Sequence, residues 1–88
     1  MSSNYYNTIA CRFLRTVDRL YFKNFDTGTQ VESPEDLIGI LQAVQAEVTE
    51  HSEYIGKNVE ALFHIYKSED GSFTAGLSSV LKISVYRP

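Results

Sequence analysis

Eighty-eight residues with 43% hydrophobic content, six Tyr and five Phe suffice for one small core, and they exclude a disordered chain, which needs low hydrophobicity and high net charge. A single cysteine, Cys11, excludes an internal disulfide framework, and no run approaches the roughly 18 apolar residues that cross a membrane. The formal net charge of −3 conceals an asymmetry: Arg12, Arg15, Arg19 and Lys23 face only Asp18 in residues 1–25, whereas residues 26–60 set Asp26, Glu32, Glu35, Asp36, Glu47, Glu50, Glu53 and Glu60 against Lys57.

The N-terminus, MSSNYYNT, has neither the basic nor the apolar region of a signal peptide, so a reducing cytoplasm, of a cell or of an infected host, is the expected home. Residues 1–7 are expected to form a loose arm on a single domain spanning 1–88. Residues 8–23 allow two readings. At period two, Ile9, Cys11 and Phe13 share a face; at helical period, Ile9, Phe13, Val17 and Leu20 line up. The β-favouring Thr8, Ile9, Phe13, Thr16, Val17, Tyr21 and Phe22 oppose the helix. The downstream context decides: LYFKNF, then Asp26-Thr27-Gly28, then Thr29-Gln30-Val31 reads as strand, tight turn and short strand. Strands are therefore expected at 8–15 and 19–25, with an N-terminal helix in place of this hairpin as the alternative.

From Ser33 to about Ser52 the chain reads as a helix. Ser33 can accept from free N–H groups of the first turn, Pro34 suits the first helical position, and Glu35 and Asp36 complement the positive end of the dipole. Leu37, Leu41, Val44 and Val48 recur at helical spacing as the buried stripe, widened by Ile38 and Ile40. The helix should stop between His51 and Gly56, with Gly56 as a left-handed cap. Asn58–Ser68 alternates as a strand, Glu69-Asp70-Gly71 signals a turn, and 72–77 and 80–87 read as the return strand with a bulge or bend near Gly76.

These elements make a small α+β domain, ββ(β)αββ, in which an antiparallel sheet carries one long amphipathic helix packed across one face. The expected core is Ile9, Cys11, Phe13, Leu20, Phe22, Leu37, Leu41, Val44, Val48, Ala61, Phe63, Ile65, Leu81, Ile83 and Val85.

Enzyme signatures are missing: there is no CxxC, HExxH, phosphate-cradling glycine loop or GxSxG, so neither catalysis nor a cofactor is expected. His51 and His64 fall on different elements, and no loop spaces oxygen ligands for calcium, so no metal is expected. Cys11 points inward as a buried, unreactive thiol. Two surfaces remain. The outer sheet face should gather Arg12, Tyr21, Lys23, Leu62, His64, Tyr66, Lys82 and Tyr86, with Leu62, Tyr66 and Tyr86 as an apolar centre and Arg12, Lys23 and Lys82 at its rim. Tyr and Arg anchor protein interfaces, because they bring large contact area with few rotors. The acidic helix face (Glu35, Gln42, Glu47, Glu50 and Glu53) is the second.

The resulting expectation is a non-enzymatic intracellular protein-binding module, an inhibitor or adaptor that occupies a partner protein's surface; by base rate alone, such chains include phage-encoded inhibitors of host machinery. The alternative is a single-stranded nucleic-acid binder using the basic, tyrosine-rich sheet face, where rings stack bases and cations neutralise phosphates. No membrane partner is expected, and self-association through the same face or an exposed strand edge is a third reading.

Overall fold

The computed structural model describes residues 4–26, 31 and 33–87. Four strands and one helix follow in the order β1 (Asn4–Arg15), β2 (Leu20–Asp26), α1 (Pro34–Thr49), β3 (Lys57–Lys67) and β4 (Phe73–Val85), with a 3-10 turn at Ser52–Tyr54 before β3. The strands form one antiparallel sheet ordered β2-β1-β3-β4. The α+β expectation holds, and residues 8–23 form the hairpin rather than the helix. Its turn closes where Thr16 donates its N–H to the Arg19 carbonyl (2.8 Å) and accepts the Arg19 N–H on its hydroxyl (3.2 Å). The expected Thr27-Gly28 turn and the short strand through Gln30 lie outside the described residues; Val31 packs against the core without strand geometry.

The expected loose arm is corrected from residue 4 onward, because β1 begins at Asn4 and Tyr5 pairs with Tyr66. Tyr6 is an extra residue in this ladder, between the Tyr5–Tyr66 and Asn7–Ile65 pairs. Strand alternation already turns Tyr5 and Tyr6 to opposite faces, and the bulge adds Tyr6 to the helix side beside Asn7, which pairs with buried Ile65. Tyr6 turns to the helix, where its hydroxyl donates to Asp36 (3.0 Å) and its ring meets Phe73 edge-on at 5.4 Å.

Ser33 caps α1 as expected, its hydroxyl accepting the Asp36 N–H (3.2 Å), with Pro34 at the start. The helix ends at Thr49, earlier than expected: the Thr49 hydroxyl turns back to the Gln45 carbonyl (2.7 Å), and the N–H groups of Glu50 and His51 reach carbonyls only three residues behind them. Gly56 does adopt φ +77°, but as the entry to β3 and not as the helix cap.

The buried layer comprises Ile9, Cys11 and Phe13 of β1, Ile40, Ala43, Val44 and Val48 of α1, Tyr54, Val59, Ala61, Phe63 and Ile65 of β3, and Ala75 of β4. Leu14 is also buried. Three parts of the expected core need correction. Leu37 and Leu41 are only half-buried and Ile38 is exposed, because the helix turns its Ile40–Ala43 side to the sheet, where Gly39 admits the Phe73 ring. Leu20 and Phe22 are half-buried at the core's margin. Leu81, Ile83 and Val85 are exposed. β4 carries two extra residues, Ser78 and Leu81, so that Val80, rather than Leu81, pairs with Ala61. The expected break near Gly76 is thus a pair of bulges just beyond it inside one continuous strand.

Candidate functional site

The face of the sheet turned away from α1 takes the alternate residues of each strand. On β3 these are Asn58, Glu60, Leu62, His64 and Tyr66, because Val59, Ala61, Phe63 and Ile65 are buried against the helix. Arg12 and Lys82 stand on either side of Glu60, Leu14 and Ser84 on either side of Asn58, and Leu14 pairs onward with Tyr21. Lys23 is an extra residue in β2, between the Arg12–Asn24 and Phe13–Phe22 pairs, and its ammonium lies 5.9 Å from the Tyr86 ring centroid. Arg12, Tyr21, Lys23, Leu62, His64, Tyr66, Lys82 and Tyr86 therefore all belong to this face.

They do not form one centre. Tyr5 meets both Tyr66 (rings edge-on, 5.8 Å) and His64 (6.0 Å), whose Nδ1 lies 3.1 Å from the Thr8 hydroxyl, which also hydrogen-bonds Tyr5. Tyr86 sits at the opposite end of β3, beside Gly56, roughly 30 Å away at ~3.3 Å per residue. The expected apolar cluster of Leu62, Tyr66 and Tyr86 is thus split by strand length, with Leu62 between its ends.

The Tyr86 end holds the better-formed feature, a shallow cleft of about 210 Å³ lined by Arg12, Lys23, Asn58, Val59, Glu60, Lys82 and Ser84. Arg12 binds Glu60 through Nη2 (2.6 Å) and Nε (3.1 Å), both to Oε2. Asn58 Oδ1 is buried in the cleft wall without a hydrogen-bond partner. The cleft offers the ammonium groups of Lys23 and Lys82 for an anion, while Asn58 Oδ1 has no surface left for a partner to reach. Tyr21, stacked under the Arg19 guanidinium at 5.2 Å, continues the edge of this region along β2.

Sequence reasoning missed Asn58, Glu60, Ser84 and Tyr5. Period two along β3 could have found the first two, since it places them with Leu62, His64 and Tyr66. The acidic helix face is less free than expected: the Glu47 carboxylate accepts the Leu77 N–H (3.1 Å) and lies 3.5 Å from His51. Glu53 sits beyond the helix, on the 3-10 turn, 3.4 Å from the same imidazole.

Cys11 is 1% exposed, and burial pushes its thiol up to about 12. Among the described residues, no cluster of His, Cys, Asp and Glu could hold a metal ion, and no helix is long and apolar enough to cross a membrane. Comparison with known proteins gave no match to a family model, to a curated protein or to a solved structure.

Proposed function

We propose that the chain is a protein-binding module that acts, as an inhibitor or adaptor, by occupying a partner's surface with the sheet face opposite α1. The observation that supports this reading is the mixed chemistry of the Tyr86-end cleft. Lys23 and Lys82 suit a carboxylate, and the Glu60 carboxylate between Arg12 and Lys82 sets a negative charge in the same cleft. A polypeptide carries isolated carboxylates that can meet the lysines and stay clear of Glu60. A phosphodiester backbone brings a negative charge at every nucleotide, and Arg12 is already paired with Glu60, which weakens the case for a polyanion. Tyr21 and Tyr86, exposed beside the cleft, have the area and low rotor count of interface anchors.

The test immobilises the wild-type chain and an Arg12→Ala/Lys23→Ala variant and exposes both to lysate, with and without nuclease, at two salt concentrations. A discrete protein held by the wild type through nuclease and moderate salt, and lost with the variant, is the expected result. Recovery of nucleic acid, falling by roughly one power of salt per phosphate contact, would overturn it in favour of the single-stranded nucleic-acid reading. Equal capture by the variant would move binding off this cleft.

A further inference from the structure

β4 is an edge strand of the sheet, and the helix guards only its first half. The outward N–H of Leu77 is closed by the Glu47 carboxylate at 3.1 Å. Past the bulges at Ser78 and Leu81 the strand runs on regularly from Lys82 to Val85. Tyr86 donates its N–H inward to the Gly56 carbonyl (3.2 Å), so strand alternation turns the backbone groups of Ile83 and Val85 to the open edge. Their side chains are 46% and 65% exposed, although Val59, the cross-strand neighbour of Ile83, is 0% exposed. The core boundary thus falls between β3 and β4 here, and among the described residues an apolar edge is left open, a template for another strand.

We propose that a second copy of this chain covers it: the Lys82–Val85 segments of two subunits pair antiparallel about a two-fold axis and join two four-stranded sheets into one. The argument for self-pairing is charge and register. Lys82 is the lone formal charge between Ser78 and Val85. Setting Ile83 opposite Ile83 of the partner subunit places Lys82 opposite Ser84 of the partner subunit. Setting it opposite Val85 of the partner subunit places Lys82 opposite Tyr86 of the partner subunit. In both registers apolar residues meet, the two lysines avoid each other, and the outward N–H and C=O groups of Ile83 and Val85 find their counterparts on the copy. One short strand pair falls below the roughly 1,200 Å² of a standard interface, which makes the dimer weak and concentration-dependent. It does not use the Arg12–Lys23 side of the cleft.

Sedimentation equilibrium of the full chain over a wide concentration range tests this. The average mass is expected to climb from 10.0 kDa toward twice that value. Ile83→Lys/Val85→Lys should weaken association by roughly tenfold or more, because it sets like charges opposite each other across the seam, while both exposed positions leave the thermal midpoint of the dilute protein unchanged. In the wild type, the Ile83 and Val85 amides should exchange more slowly as concentration rises, and the Leu77 amide should not. A monomer at every concentration, an unweakened variant dimer, or exchange at Ile83 and Val85 indifferent to concentration would each overturn the proposal.

Discussion

The carboxylate of Glu47, on the helix, accepts the backbone N–H of Leu77, on the sheet's edge strand, at 3.1 Å. A side chain here does the work of a neighbouring strand: it satisfies an edge donor and ties the two layers together. Both the stability of the helix–sheet contact and the extent of open edge depend on it.

Glu47→Ala should therefore lower stability by about 1 kcal/mol, or roughly 4–8 °C in Tm, by leaving the Leu77 N–H to solvent. Glu47→Gln keeps an acceptor oxygen and should lose less than half of that. Thermal melts of both variants, with exchange of the Leu77 amide, check the assignment; equal loss in the two would mean that charge, and not the acceptor, matters.

Gly39→Ala reverses the usual expectation for a helix interior. Alanine normally gains about 1 kcal/mol there. A Cβ at position 39 would stand 2.6 Å from Phe73 Cδ2, and that ring is held between Tyr6 and α1. Overpacking of this kind costs roughly 1–3 kcal/mol, so the variant should melt lower than the wild type. In a Phe73→Leu background the same change should be neutral or stabilising. Denaturant titrations of the four proteins in this cycle give the answer.

Cys11 predicts a pH dependence. Its ordinary value of 9.0 applies to the unfolded chain, and burial raises the folded value to about 12. Below pH 9 the thiol is protonated in both states and has no effect on pH dependence. Above it the unfolded chain releases a proton that the folded chain keeps, so stability falls by up to about 1.4 kcal/mol per pH unit until pH 12. Cys11→Ala should be less stable at neutral pH, because it leaves a small cavity, yet lose less between pH 9 and 11. Parallel denaturant melts across that range would show the converging curves.

The two ends of the open sheet face should differ. Tyr86, 41% exposed and touched by the Lys23 ammonium, should tolerate alanine within about 0.5 kcal/mol. Tyr66, edge-on to Tyr5, should lose about 1 kcal/mol, and a double-mutant cycle with Tyr5→Ala should return a coupling of roughly 0.5–1 kcal/mol. Unfolding of Tyr86→Ala would instead make that ring part of the fold and remove it from any binding surface.

The local chemistry of the chain by itself determined the helix start and the inward face of β1 and β3, whereas residues 8–23 stayed open between hairpin and helix until the pairing of β1 with β2 decided it. Ser33 and Pro34 act within one turn of themselves, and Ile9, Cys11, Phe13, Ala61, Phe63 and Ile65 alternate on strands whose inner faces are buried in the core. Strand alternation likewise put Arg12, Lys82 and Tyr66 on one face. Only the tertiary structure decided what depends on where α1 crosses the sheet. Ile83 and Val85 have the same alternation as Phe63 and Ile65, yet they are exposed, because periodicity cannot report the cover above a strand. The bulges at Tyr6, Lys23, Ser78 and Leu81 each insert one residue and change which side chains share a face, a choice made by cross-strand packing. The separation of Tyr66 from Tyr86 has the same origin: residues that share a face stand near each other only when the register of three strands brings them level.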